Sequence, residues 1–454
     1  MDPQISKLFA NNDPPSDGVA KMVQELIVTR RRELELAQRE IQTLQNRLKE
    51  LTPKCETIQQ SISDLSALIS LRRLPTDLLR EVFLHCLPAY RNPTLSALGA
   101  PMVLTRVCGL WRSVALSYPR LWARLHIPFS DDYLGDTTDA DDNAKELRLK
   151  AIKVLQLRCN VVEEWLMRSG TCPLDISIHY DSRRFRDLAA LKSHGEGDLT
   201  IQLFKVIFHF KDRLQSLQLK MHENIYSTKF EVMVPEDGLR MLRTLRTGLY
   251  LHPATESQTS SPITLLNSPN LTNVAIYTDR WRSGFLPLTV LQRLASLSVD
   301  VRLTIADAFS ILKNCGNLVH CQLIVADGAV NPDSWLTGVA NLPHLKSLQI
   351  FDEDEPASNP RFMLHFYSAI RAPHMKWINY QFSGNPRDTT DGTFPILPLL
   401  ESAKELKKLT LDLAGLPDSF IRKALETKNI PCSRFSGHTD RSMRPSSTNY
   451  SNAI

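Results

Sequence analysis

The chain has 454 residues, of which 43% are hydrophobic and 23% charged, and its 54 basic and 49 acidic side chains leave a net charge of +5. Domains usually hold about 100–200 residues, so two or three folded units are expected, each with enough apolar surface for a core. The charges nearly cancel, which leaves no electrostatic footprint for nucleic acid, and no apolar run reaches the roughly 18–20 residues that span a bilayer. Eight scattered cysteines, Cys55, Cys86, Cys108, Cys159, Cys172, Cys315, Cys321 and Cys432, suit reduced thiols better than a disulfide framework. The polar N-terminus lacks a secretion signal, so a soluble protein of the cytoplasm and/or nucleus is expected.

Residues 1–20 are rich in Asn, Asp, Pro and Ser and read as a disordered leader. Residues 21–71 carry a heptad. Val23, Ile27, Arg30, Leu34, Ala37, Ile41, Leu44, Leu48, Leu51, Cys55, Ile58, Ile62, Leu65 and Ile69 follow at alternating steps of four and three, and only Arg30 and Cys55 interrupt the apolar stripe. Pro53 lacks an amide hydrogen, which predicts a break or kink near Leu51 with Thr52 as the next N-cap. The stripe suits either a homodimeric coiled coil or two helices folded back as a hairpin. Arg30, Arg31 and Arg32 read as a solvated helix face, not as a nucleic-acid patch.

Residues 72–128 hold two short helical patterns. In the first, Leu74-Pro75 makes a turn, Asp77 falls in the first helical turn, and Leu78, Leu79, Val82, Phe83 and Cys86 keep helical spacing. In the second, Leu104, Val107, Cys108, Trp111, Val114 and Ala115 repeat the stripe and Pro119 closes it. Helices this short must pack on each other or on a partner.

The ordered series Leu74-Pro75, Asp77, Leu78-Leu79, Val82-Phe83, Val107-Cys108-x-x-Trp111-Arg112 and Leu121-Trp122 resembles an F-box. The Pro-x-Leu-Trp ending is similar to that of the expanded F-box families of mushroom-forming, basidiomycete fungi. The resemblance implies a three-helix fold that docks a Skp-type adaptor, and through it the cullin of an SCF ubiquitin ligase. The adaptor-facing residues it implies are Leu74, Pro75, Leu78, Leu79, Val82, Phe83, Val107, Cys108 and Trp111. Residues 88–103 are longer than the family pattern, which puts the middle helix in doubt.

Residues 129–145 contain six Asp without apolar period and read as a flexible acidic linker that lacks the Gly and Glu of an EF-hand loop. From 146 to 430 a Leu-x-x-Leu-x-Leu frame recurs at Leu214/Leu217/Leu219, Leu271/Val274/Ile276, Leu294/Leu297/Val299, Leu318/Cys321/Leu323, Leu345/Leu348/Ile350, Met375/Ile378/Tyr380 and Leu406/Leu409/Leu411. A further unit fits around Leu242 and Leu245. Proline turns such as SPNL, LPHL and APHM introduce several units, and helix-like stretches separate them. The pattern resembles degenerate leucine-rich repeats, which implies a solenoid, with ordinary α/β packing as the alternative. The Asn or Cys expected after each frame is absent, at His222, Asp279, Arg302, Ala326 and Glu353. Residues 431–454 read as a disordered tail.

If the last two apolar residues of each frame point inward, their neighbours point outward. These rungs are mostly small and uncharged, and Tyr277, Phe351 and Trp377 stand out as target-binding candidates. A second small core over these aromatics is the other reading.

No Gly-x-Ser-x-Gly, His-Glu-x-x-His or phosphate-binding glycine loop occurs, and the His194–Gly197 stretch reads as a plain loop. Cys315, His320 and Cys321 lack the remaining ligands of a zinc site. The expectation is therefore a multidomain α and α/β adaptor, with a coiled coil, an F-box and a repeat domain. It would have no catalytic residues, no cofactor and no metal, and its target is unknown. A protein-assembly scaffold without ubiquitin transfer is the alternative.

Overall fold

The computed structural model describes residues 14–72, 74–130, 142–181, 199–250, 263–278, 281–282, 284–326, 338–353, 360–382 and 395–412. The tail from 431 and the linker core 131–141 lie outside the described residues. Two compact units are present, residues 1–79 and residues 80–454. Among the described residues no helix is long and apolar enough to cross a membrane.

The first unit is dominated by one helix, α1, Asp17–Arg72, of 56 residues. At 1.5 Å per residue it is about 84 Å long. Its Glu, Gln, Arg, Lys and Leu content favours helix, and short-range pairs support it: Arg30 to Glu33 at 2.6 Å, Gln42 to Asn46 at 3.1 Å and Gln60 to Asp64 at 2.9 Å. Two expectations are corrected. Helix starts at Asp17, inside the stretch read as leader, and it does not break at Pro53. Thr52 is no N-cap, because its hydroxyl donates back to the Leu48 carbonyl at 2.8 Å, and Thr57 does the same to the Pro53 carbonyl at 2.7 Å. An interior proline costs about 3 kcal/mol, and long runs of helix formers on both sides outweigh it by cooperativity. A fold-back hairpin within residues 17–72 is thereby excluded.

Helix α2, Thr76–His85, carries the boundary between the units. It opens with the Leu79 amide donating to the Pro75 carbonyl at 3.0 Å, and Asp77 lies in its first turn where the helix dipole favours a carboxylate. In the second unit a tight 3-10 turn, Met102–Arg106, precedes helix α3, Gly109–Leu116. Between α2 and α3 that turn is the one helical element among the described residues. A second 3-10 turn, Pro119–Trp122, leads straight into strand β1, Arg124–Ser130. The sheet therefore begins within the stretch that carries the F-box resemblance, and β1 reaches into the segment read as acidic linker.

Ten strands form one sheet in chain order: β1, β2 (Leu174–Asp181), β3 (Leu214–His222), β4 (Thr244–Tyr250), β5 (Asn273–Thr278), β6 (Ser296–Thr304), β7 (His320–Ala326), β9 (Ser347–Glu353), β11 (Trp377–Phe382) and β12 (Lys408–Asp412). Every neighbour pair is parallel. The short strands β8 (Ala340–Asn341) and β10 (Ile370–Arg371) pair separately. Helices α4 (Asp142–Arg168), α5 (Leu199–His209), α6 (Leu288–Leu291), α7 (Ile305–Asn314), α8 (Pro360–Ser368) and α9 (Leu397–Ser402) fill the connections. All seven leucine frames run into strands, and β4 takes the extra unit around Leu245. Strands β1 and β2 had no frame to announce them.

The frame works through a repeated turn. Leu242, Leu271, Leu318, Leu345 and Met375 each donate their amide to the carbonyl three residues back, at 3.1 to 3.3 Å, and each side chain is fully buried. The chain thus turns on an apolar anchor and leaves it as a strand. Gly238 is required beside one such turn: its φ is +71°, and a Cβ there would fall 2.5 Å from the Ser268 amide nitrogen.

Burial alternates along the strands. In β9 Leu348, Ile350 and Asp352 are buried while Ser347, Gln349, Phe351 and Glu353 are half-buried, and β11 repeats the pattern. Parallel sheets are usually covered on both faces and read as continuous apolar runs; here, among the described residues, burial is concentrated on one face. Asp352 is a polar residue on that inner face, as is Thr247 of β4, and it accepts from the Tyr380 hydroxyl at 2.8 Å.

The first edge of the sheet is covered by the stretch before the 3-10 turn. The His126 amide donates to the Pro93 carbonyl at 2.7 Å, and Thr94 forms a single bridge to the same strand residue. Arg124 donates to the Pro88 and Arg91 carbonyls at 3.3 and 2.9 Å, and the buried Asn92 amide reaches across to Asp175 at 2.9 Å.

Candidate functional site

The nine residues implied by the F-box resemblance divide by exposure. Pro75 and Cys108 are exposed, as are Leu78 (56%), Val82 (44%) and Val107 (56%); Leu74 and Trp111 are half-buried. Leu79 and Phe83 are buried. Leu78 and Val82 stand four apart on α2 and so share a helix face. Phe83 packs on Trp111 with ring centroids 4.9 Å apart, which makes it part of this segment's own core. The Cys108 sulfur caps α3 by accepting from the Trp111 amide at 3.5 Å. Val103 and Leu110 are also exposed and were not singled out in the sequence, because their apolar character blends into the neighbouring stripe.

Leu121 and Trp122 point the other way, into the sheet unit. Both are fully buried, the Trp122 indole donates to the Ala115 carbonyl at 2.8 Å, and its ring meets Trp165 of α4 at 4.8 Å. Arg168 lies over the Trp122 ring at 5.0 Å.

On the outer sheet face the expected rungs are in register: Ser296, His320, Ser347 and Trp377 on one, and Ser298, Gln322, Gln349 and Asn379 on the next. His320 joins Ser347 at 2.6 Å between Nδ1 and Oγ. The three aromatics are all half-buried and share this face, but they do not converge. Tyr277 is in register with Asp300, Phe351 with Ile324 and Gln381, and Trp377 with Ser347 four residues earlier along the strand. With strands about 4.8 Å apart, Tyr277 and Phe351 stand roughly three spacings from each other. Burial pushes the Tyr277 hydroxyl above its ordinary range, against the pull of Arg246. Trp377 has the Lys408 ammonium 5.7 Å from its ring centre and a buried indole N–H without a partner.

A cavity of about 630 Å³ opens at the ends of β5, β6, β7 and β9, lined by Thr278, Trp281, Asp300, Val301, Arg302, Ile324 and Glu353. It lies beside a bulge in β6, where pairing with β7 shifts between Val299 and Arg302. Beside the bulge Arg302 forms an ion pair with Glu353 of β9. Burial, and then the charge of Glu353, push the Asp300 carboxyl above the usual aspartate value. The Trp281 indole N–H is buried without a partner. The lining combines the carboxyls of Asp300 and Glu353 with the Arg302 guanidinium and the Trp281 indole N–H. The outward positions Asp300 and Ile324 were legible from the frame; the bulge and Trp281 were not, because a bulge has no signature in apolar spacing.

Cys321 is buried and His320 is exposed, as inward and outward strand positions require, and Cys315, at the end of helix α7, is buried as well. Burial pushes the Cys315 thiol up to about 12. Among the described residues no group of three or more His, Cys, Asp or Glu could hold a metal ion. No protein-family model matches the chain, and no curated protein sequence matches it.

Proposed function

We propose that the chain is the substrate-recognition adaptor of an SCF-type, cullin-RING ubiquitin ligase and not itself an enzyme. In this reading residues 72–128 are an F-box that docks a Skp-type adaptor, and the sheet is a leucine-rich-repeat-like solenoid whose outer face holds the target protein. One observation carries the reading: the ordered Leu-Pro, Leu-Leu, Val-Phe and Val-Cys-x-x-Trp series coincides with short helices that leave Leu78, Val82 and Val107 uncovered. Exposed aliphatic anchors on short helices are what an apolar protein interface requires. The half-exposed outer face, with Tyr277, Phe351 and Trp377, supports the target-binding assignment.

Co-purification from a fungal extract tests it. The full chain should retain a Skp-type adaptor together with its cullin, and retention of neither removes the proposal. Cross-linking from positions 277, 351 and 377 should capture targets; capture only from the helical side would relocate the target site. A scaffold reading, favoured by the long helix α1 with its uncovered stripe, predicts adaptor without cullin.

A further inference from the structure

Helix α1 leaves its stripe open: Leu34, Ile41, Leu44, Leu48, Ile58 and Ile62 are each more than half exposed. A heptad stripe of this length in water is covered by another helix. On the heptad, Ile27, Leu34, Ile41, Leu48 and Cys55 take position a, and Arg30, Ala37, Leu44, Leu51 and Ile58 take position d. One flank, position g, reads Glu33, Glu40, Arg47 and Lys54. Acidic, acidic, basic, basic along one edge is complementary to itself read backwards.

We propose that α1 pairs with α1 of a second copy in antiparallel orientation, with Ile41 facing Leu44 of the second copy. This rests on reading the helix as a self-associating coiled coil. Antiparallel pairing sets g against g, so Glu40 meets Arg47 of the second copy and Glu33 meets Lys54, and two-fold symmetry repeats both contacts. The same alignment seats Arg30 opposite Cys55 of the second copy. Both interruptions of the stripe therefore share layers, while Val23 with Ile62, Ile27 with Ile58, Leu34 with Leu51 and Ala37 with Leu48 stay apolar.

Other alignments lose these matches. Sliding by one heptad sets Glu40 against Glu40 or Arg47 against Arg47. A parallel, in-register pair buries Arg30 against Arg30 and gives the four g residues only Gln38, Gln45, Thr52 and Gln59 as neighbours. Within one chain Glu33 is held by Arg30 and Arg47 by Glu50, but these pairs are more than half exposed and weak enough to exchange.

The test uses the full chain with Cys55→Ser, carrying either Ala37→Cys or Leu48→Cys on differently sized tags. Under mild oxidation the mixture should give a disulfide between the two tags and each chain alone none above the Cys55→Ser background. Glu40→Lys should raise the dimer dissociation constant roughly tenfold through two like-charge contacts, and Glu40→Lys with Arg47→Glu should restore it. Chains that cross-link to themselves through position 37 or 48 overturn the orientation and leave the dimer. A monomeric mass by light scattering overturns the pairing itself.

Discussion

The indole of Trp122 meets that of Trp165 edge-on, with centroids 4.8 Å apart, and so fixes the end of the short helical segment to helix α4 of the sheet unit. Both rings are buried, and Trp165 donates to the Arg124 carbonyl at 3.2 Å, on the first residue of β1. The Leu-Trp pair that closes the F-box-like series is thus a joint, not a docking surface.

Trp122→Ala should remove the ring, its hydrogen bond to Ala115 and the Arg168 contact, at a cost of about 3–5 kcal/mol. Urea unfolding should show this loss. A cost below about 1 kcal/mol would mean the joint contributes little.

Adaptor affinity should separate from stability according to exposure. Leu78→Ala, Val82→Ala and Val107→Ala should each weaken binding of a Skp-type adaptor by about 1–3 kcal/mol while leaving the melting temperature nearly unchanged. Phe83→Ala should lower the melting temperature, because it opens the contact with Trp111. Calorimetric titration beside thermal scans checks both, and unchanged affinity in all three surface variants would sink the docking assignment.

His126 provides a pH dependence. Burial, and then the charges of His179 and Arg91, lower its pKa from 6.5, and its Nδ1 lies 2.9 Å from the Ser177 hydroxyl. Since the folded chain binds the proton less readily than the unfolded chain, this residue's share of stability is full above about pH 6.5 and falls as pH drops through that value. His126→Gln should flatten this part of the profile. Denaturation midpoints at about pH 7.5 and pH 5.5 measure it, and parallel losses in both proteins would acquit His126.

Gly238→Ala should cost about 1–3 kcal/mol, since the residue has positive φ and its Cβ would strike the Ser268 backbone. Hydrogen exchange should show the loss in the turn from Leu239 to Leu242. Exchange unchanged there would show that Ser268 moves aside.

Legibility followed the physics of each signal. Leu217 and Leu219, or Leu348 and Ile350, could be read as inward strand residues because a period of two has one geometric meaning. Leu125, Ile127 and Phe129 alternate just as well, and Leu121 anchors a turn before them, but Leu121 stands four residues before Leu125 instead of three, so the frame did not match and β1 escaped notice. Thr52 and Pro53 misled because local rules govern a helix end, whereas cooperativity governs the middle of a long helix. The cavity was half legible: Asp300 and Ile324 follow from the frame, while Arg302 and Glu353 meet across strands that are not neighbours in the sheet.

Residues 88–94, the first part of the stretch 88–103 between α2 and α3, give the sheet a beginning. A parallel sheet built strand by strand has no internal reason to stop, and its first strand would present free amides and carbonyls to any extended chain. Here Pro93 takes the amide of His126 and Asn92 bridges to Asp175 on the strand behind, so that edge is occupied from within. The stretch acts as a stopper. It sets where the array is counted from, and at His126 it takes the position that a further strand would pair with.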